Sequence, residues 1–89
     1  MVLLVLTRGG YEDVRHLVET KAGPVWLNAD VLAAPEVAAL RGSGVDVSCF
    51  TERIDPTSRV QLEGAVATIQ EHHPRQTLWV ETPHEVSAT

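Results

Sequence analysis

The most continuous apolar stretch of the chain lies at its start, where five apolar residues in a row occupy residues 2–6. A strand without polar alternation is buried on both faces, as in the centre of a parallel sheet. The stretch ends in Thr7-Arg8-Gly9-Gly10, and apolar residues then recur at helical spacing, at positions 14, 17, 18 and 22. This order predicts a central strand that passes directly into a crossover helix.

The helix is expected to begin at Tyr11, to carry Glu12 and Asp13 in its first turn, and to end at Gly23-Pro24. Farther along, alternating or continuous apolar residues predict three more strands, over residues 25–29, 45–50 and 77–81. A short helix is predicted over residues 35–41. The longest helix is predicted over Pro56–His73, with Asp55 as its N-cap.

Strands that alternate with helices predict an α/β fold, a small three-layer structure with a parallel four-stranded sheet in the order β-α-β-α-β-α-β. Polar residues on strands 2 and 4 favour the sheet edges, so the expected strand order is 2-1-3-4, as in a flavodoxin-like half. The alternative order is 3-2-1-4, as in a Rossmann-like half. We expect a single α/β domain over residues 1–82 and a flexible C-terminal tail over residues 83–89.

Composition narrows the possible partners. The 89 residues carry a formal net charge of −5, which disfavours nucleic acid and anionic membranes as ligands because both are negatively charged. The sequence shows neither a signal peptide nor a long apolar run, so we expect a cytoplasmic protein. Cys49 is the only cysteine, which excludes an intramolecular disulfide, and its place in strand 3 predicts a buried, unreactive thiol.

In open α/β sheets, ligands bind beyond the carboxyl ends of the strands, where the strand order reverses. With the order 2-1-3-4, this reversal brings together the segments that follow strands 1 and 3. A glycine pair before a helix and two arginines suit an anion. The candidate ligand-binding residues are therefore Thr7, Arg8, Gly9, Gly10, Glu52 and Arg53.

Other features oppose an anion site. The glycines do not have the spacing of the P-loop or the dinucleotide fingerprint, and acidic residues are expected at the positive end of the first helix. The histidines do not have the spacing of metal ligands. We accordingly predict no catalytic residues, no metal site and no cofactor.

The function that the sequence favours is a small binding or protein-interaction module without catalysis of its own. The alternative is an enzyme or sensor that binds a small anion or nucleotide through the Arg8/Arg53 edge. Trp26 and Trp79 both fall on strands expected at the edges of the sheet. They are expected to pack under helices, but an aromatic residue on an incompletely covered edge suits a subunit interface, so a homodimer or another protein partner is also expected.

Overall fold

A computed structural model of the protein describes residues 1–81, and the predicted tail over residues 83–89 lies outside them. Within residues 1–81, four strands alternate with three helices, which confirms the predicted α/β fold. The elements are β1 (Val2–Val5), α1 (Arg8–Glu19), β2 (Val25–Leu27), α2 (Ala34–Gly42), β3 (Val47–Cys49), α3 (Arg59–His72) and β4 (Leu78–Val80).

All three strand pairings are parallel, and the strands lie in the order β3-β2-β1-β4. The preferred order 2-1-3-4 is therefore wrong, and the alternative order is the one observed. β1 is central as predicted, and its four residues are all buried. β2 also lies inside the sheet, and β3 takes the edge position that had been expected for β2.

The misplacement of β2 has a physical cause, because the polar side chain that follows it, Asn28, forms its hydrogen bonds inside the protein. Asn28, which follows the strand, is 2% exposed and forms hydrogen bonds with the backbone on both sides. Trp26 is buried against Phe50, with ring centroids 5.4 Å apart. The polarity that indicated an edge strand thus belongs to an internal one.

Each face of the sheet has its own hydrophobic core. On one face, Leu3 and Val5 pack with residues of α1 and α2, among them Val14, Val18 and Val37. On the other face, Val2 and Leu4 pack with Ala65 and Ile69 of α3. Alternation along the strands separates the two sets, because successive side chains of a strand point to opposite faces.

α1 begins three residues earlier than predicted. Thr7 is its N-cap, and the Thr7 hydroxyl accepts a hydrogen bond from the Gly10 amide. The first turn therefore contains Arg8 and the two glycines and no acidic residue, so the prediction that Glu12 and Asp13 occupy it is wrong. The helix ends at Glu19, before Gly23, and Lys21 follows in the left-handed region with φ of 60°.

Two further expectations from the sequence are wrong. α3 begins at Arg59, because the Ser58 hydroxyl caps it by accepting from the Gln61 amide, whereas Asp55 binds the amide and hydroxyl of Thr57. Cys49 is exposed and not buried. It is the last residue of β3, which is an edge strand, and an edge strand has a neighbour on one side only.

Candidate functional site

The observed strand order moves the point of reversal from between strands 1 and 3 to between β1 and β4. The segments that meet there are Thr7, which follows β1, and Glu81, which follows β4. The crevice where an α/β sheet usually binds a ligand is therefore bordered by the start of α1 and by the carboxylate of Glu81.

Glu81 is 5% exposed as a residue, and its carboxylate accepts three hydrogen bonds at this crevice. Its Oε1 atom lies 2.6 Å from the Leu6 amide nitrogen and 2.9 Å from that of Thr7, and its Oε2 atom accepts from the Thr7 hydroxyl at 2.5 Å. A negative charge at a helix N-terminus is favoured by the helix dipole, and hydrogen bonds to a carboxylate are stronger than those between neutral groups.

Gly10 provides the space that this carboxylate occupies. A Cβ atom built on Gly10 would overlap the carboxyl group of Glu81, whereas one built on Gly9 would meet only the Thr7 hydroxyl, at 3.9 Å. Of the predicted glycine pair, Gly10 is thus the one that allows close approach. The approaching anion is a side chain of the protein itself.

Asn28 ties the neighbouring segments together. Its amide nitrogen donates to the carbonyl oxygens of Leu6 and Ile54, at 3.1 and 2.8 Å. Its side-chain oxygen accepts from the amides of Ala29 and Ile54, both at 2.8 Å. The end of β1, the end of β2 and the loop before α3 are thereby joined through one buried side chain.

Arg8 points toward α2 and away from the crevice. Its guanidinium lies 2.9 Å from a Glu36 oxygen and 3.2 Å from a Glu12 oxygen, and it also donates to the Val31 carbonyl at 3.4 Å. The hydrogen bond between Arg8 and Glu36 raises the pKa of the guanidinium and lowers that of the carboxyl. About half of the Arg8 side chain is exposed, at 51%.

Glu52 and Arg53 are exposed and line a groove of about 430 Å³ between the β3–α3 loop and α3. Arg8 lines a different groove, of about 420 Å³, between α1 and α2. Of the predicted site residues, Thr7–Gly10 lie together at the start of α1, but Arg8 and Arg53 do not share a groove. Among residues 1–81, neither Glu52 nor Arg53 forms an ion pair.

Sequence reasoning did not include Asn28 and Glu81 among the site residues, although both are buried there. Their positions could have identified them, because each is a polar residue directly after a short apolar strand. Residues at the carboxyl ends of parallel strands meet at one edge of the sheet.

The two edges of the sheet differ in how their backbone groups are occupied. At β3, the Arg41 guanidinium donates to the Val47 carbonyl, with its Nη2 and Nε atoms at 2.9 and 3.3 Å. At β4, the Thr77 carbonyl and the Glu81 amide bond to β1. Alternation along a strand therefore directs the backbone groups of Leu78 and Val80 to the other edge, which no strand of residues 1–81 covers.

Trp79 lies between those two residues and is 37% exposed. Leu78 and Val80 pack against the core under α3, so alternation places Trp79 on the face that α1 and α2 cover elsewhere. The expectation that Trp79 packs under a helix is not met, because Trp79 is among the exposed large apolar side chains of residues 1–81. The exposed aromatic ring and the open backbone edge belong to the same strand.

Comparisons with protein-family models, curated proteins and solved structures found no match to this chain. Over residues 1–81, no group of three or more His, Cys, Asp or Glu side chains has an arrangement that could hold a metal ion. The same part of the chain contains no helix with the length and apolar character needed to cross a membrane.

Proposed function

We propose that this protein is a protein-interaction module without catalysis of its own, and that the β4 edge is its contact surface. The observation that carries the proposal is that one strand has both an exposed Trp79 and outward-facing backbone groups, those of Leu78 and Val80. An unpaired strand edge is a template for another strand, and tryptophan is enriched at the contacts that contribute most to binding.

The arrangement at the carboxyl ends of the strands supports the same proposal. Glu81 fills the position at the α1 N-terminus that an anionic substrate would otherwise take, and Asn28 has its amide groups bonded to the backbone. In an open α/β sheet this crevice is where a ligand usually binds. Here the Glu81 carboxylate already occupies the Leu6 and Thr7 amides, and the exposed aromatic surface lies at the β4 edge.

Site-specific photocrosslinking in cells tests this proposal. A photoreactive amino acid replaces Gln76, which is exposed just before β4, and a matched control replaces His16, which is exposed on α1. We expect a discrete covalent adduct from position 76 and none from position 16. Equal labelling from both positions, or no adduct from position 76, would contradict the proposal.

The second proposed function is binding of a small anion, which the sequence assigned to the Arg8/Arg53 edge. Because Arg8 lines a different groove, the proposed site is the groove beside Arg53. The observation in its favour is that Arg53 forms no ion pair within residues 1–81 and lines a groove together with Phe50 and Ile54. A guanidinium of this kind suits a carboxylate or a phosphate.

Thermal unfolding with added inorganic phosphate tests this second function. If the groove binds the anion, phosphate raises the melting temperature of the wild type and of an Arg75→Gln control but not that of Arg53→Gln. An equal rise in all three proteins, or none in the wild type, eliminates the Arg53 groove as an anion site.

A further inference from the structure

We infer that the occupant of the β4 edge is a second copy of this chain, bound through an antiparallel pairing of β4 with β4. The inference rests on the proposed interaction function and names the partner of that same surface. It follows from the backbone geometry of the edge, from the side chains on both of its faces, and from the distribution of charge.

The backbone of β4 is complementary to itself. A two-fold axis through Trp79 places Leu78 of one copy opposite Val80 of the other. Because both residues direct their N–H and C=O groups outward, each such pair exchanges two hydrogen bonds. Trp79 then faces Trp79 of the second copy as a non-hydrogen-bonded pair, the arrangement in which side chains approach most closely, with Cα atoms about 4.5 Å apart.

The flank of α3 extends the surface on the opposite face of the sheet. Leu62 and Val66 are only partly buried and pack, like Leu78 and Val80, against the core under α3. They also line a groove of about 540 Å³ along α3. An isologous dimer brings the two copies of this flank toward each other. The contact then includes side chains of α3 as well as the strand. A strand of three residues needs this addition, because alone it buries less area than a specific interface requires.

Charge favours this surface over the rest of the molecule. Each chain carries a formal net charge of −5, so two copies repel each other at most orientations. The segment over residues 74–80 contains a single charged residue, the cation Arg75. In the groove along α3, the charges of Arg59 and Glu63 cancel. The β4 edge is thus a place where an acidic chain can meet its own copy without a concentration of like charge.

The other edge of the sheet does not offer the same contact. The Val47 carbonyl of β3 already accepts from Arg41, at 2.9 Å from Nη2. A strand that paired with β3 would have to displace this guanidinium. Protection of one edge by a charged side chain is a recognised way of preventing strand addition, and it leaves β4 as the edge that pairs.

Sedimentation velocity of the full chain across a wide concentration range tests the inference. We expect the mass to rise from that of one chain, 9.7 kDa, to twice that value. Trp79→Asp places two carboxylates opposite each other, and Val80→Pro removes an N–H that faces outward and so leaves the internal ladder intact. Both variants should remain monomeric, whereas Ala38→Asp, a control on exposed α2 surface, should dimerise like the wild type.

A second measurement needs no variant and so does not depend on whether the variants fold. Amide hydrogen exchange of Leu78 and Val80 in the wild type should slow as the concentration rises, while exchange of the Glu81 amide, which already bonds to Leu4, should not change. Dimerisation that both variants retain, or concentration-independent exchange at Leu78 and Val80, would overturn the inference.

The outcomes separate this inference from the function on which it rests. A wild type that stays monomeric at every concentration, together with a crosslinked adduct at position 76 of a different mass, overturns the second copy but leaves the interaction function in place. Absence of both the dimer and the adduct overturns both.

Discussion

The carboxylate of Glu81 occupies the space where a side chain of residue 10 would begin, and Gly10 is the residue that makes this possible. The two residues are distant in sequence but adjacent in space, at the point between β1 and β4 where the strand order reverses. Through this contact the Glu81 carboxylate reaches the Leu6 and Thr7 amides at the start of α1.

Gly10→Ala should destabilise the protein although alanine favours helices more than glycine does. The new Cβ atom overlaps the Glu81 carboxyl, and forcing such an overlap typically costs about 1–3 kcal/mol. Gly64→Ala is the matched control, because a Cβ atom there meets nothing within 4 Å. Urea unfolding should show the control stabilised by about 0.5–1 kcal/mol. Equal effects in the two variants would contradict the close approach.

Glu81→Ala should lower the free energy of unfolding by about 2–4 kcal/mol, because the Leu6 and Thr7 amides lose their acceptor in a buried place. Glu52→Ala removes an exposed carboxylate and should change the free energy of unfolding by less than about 0.5 kcal/mol. The two variants can be compared by chemical denaturation at neutral pH. A Glu81→Ala protein as stable as the Glu52→Ala control would show that the carboxylate does not stabilise the crevice.

Lys21→Gly should stabilise the protein by about 0.5–1 kcal/mol, since Lys21 holds a φ of 60° that glycine adopts without steric cost. Gly44 has the equivalent place after α2, with a φ of 95°. Gly44→Ala should therefore shift stability in the opposite direction, by about 1 kcal/mol. Thermal or urea unfolding of both variants measures the effects, which must differ in sign if the left-handed conformations are present.

Cys49 should react with a thiol reagent in the folded protein, because its side chain is exposed at the end of an edge strand. Native and denatured samples are expected to be modified to the same extent in an Ellman assay, with one thiol per chain. Modification that requires denaturant would instead support the burial that the sequence pattern suggested.

Stability should fall in acid, in part through Glu36 and Asp55. Arg8 lowers the pKa of Glu36 below its usual 4.5, and hydrogen bonds from Thr57 lower that of Asp55 below 3.8. A carboxyl whose pKa is lower in the folded state stabilises the protein above its unfolded pKa, and this contribution is lost as the pH falls through the folded value. The loss therefore begins below about pH 4.5.

Denaturation series of wild type and Glu36→Gln across this range test the linkage. The wild type should be the more stable at pH 7, and the difference should shrink as the solution becomes acidic. Glu52→Gln is the control, because Glu52 forms no ion pair within residues 1–81. A difference that stays constant with pH would contradict the pKa assignment.

Much of the fold was predictable because it depends on local periodicity. The apolar run over residues 2–6 indicated a strand buried on both faces, and β1 is central and fully buried. The positions of helices and strands followed from the change of period. Helix starts were less predictable, because Thr7 and Ser58 compete with other capping residues nearby, and only the hydrogen bonds decide between them.

The candidate site was predicted only in part. The segment Thr7–Gly10 does lie at the reversal of the strand order, but the segment opposite it is Glu81 and not residues 52–53. That error follows directly from the strand order, since exchanging an edge strand for an internal one changes which loops meet. The binding role of Arg8 and Arg53 stays a prediction, and the phosphate experiment addresses the Arg53 part of it.

The sequence by itself determined the alternation of strands and helices, the central place of β1 and the acidic surface, because each depends on residue type and spacing along the chain. Tertiary structure alone decided that Asn28 is internal, that Cys49 is exposed, and that Glu81 fills the start of α1. The physical reason is that the cost of a polar side chain depends on its partners, and those partners come from segments far away in the chain.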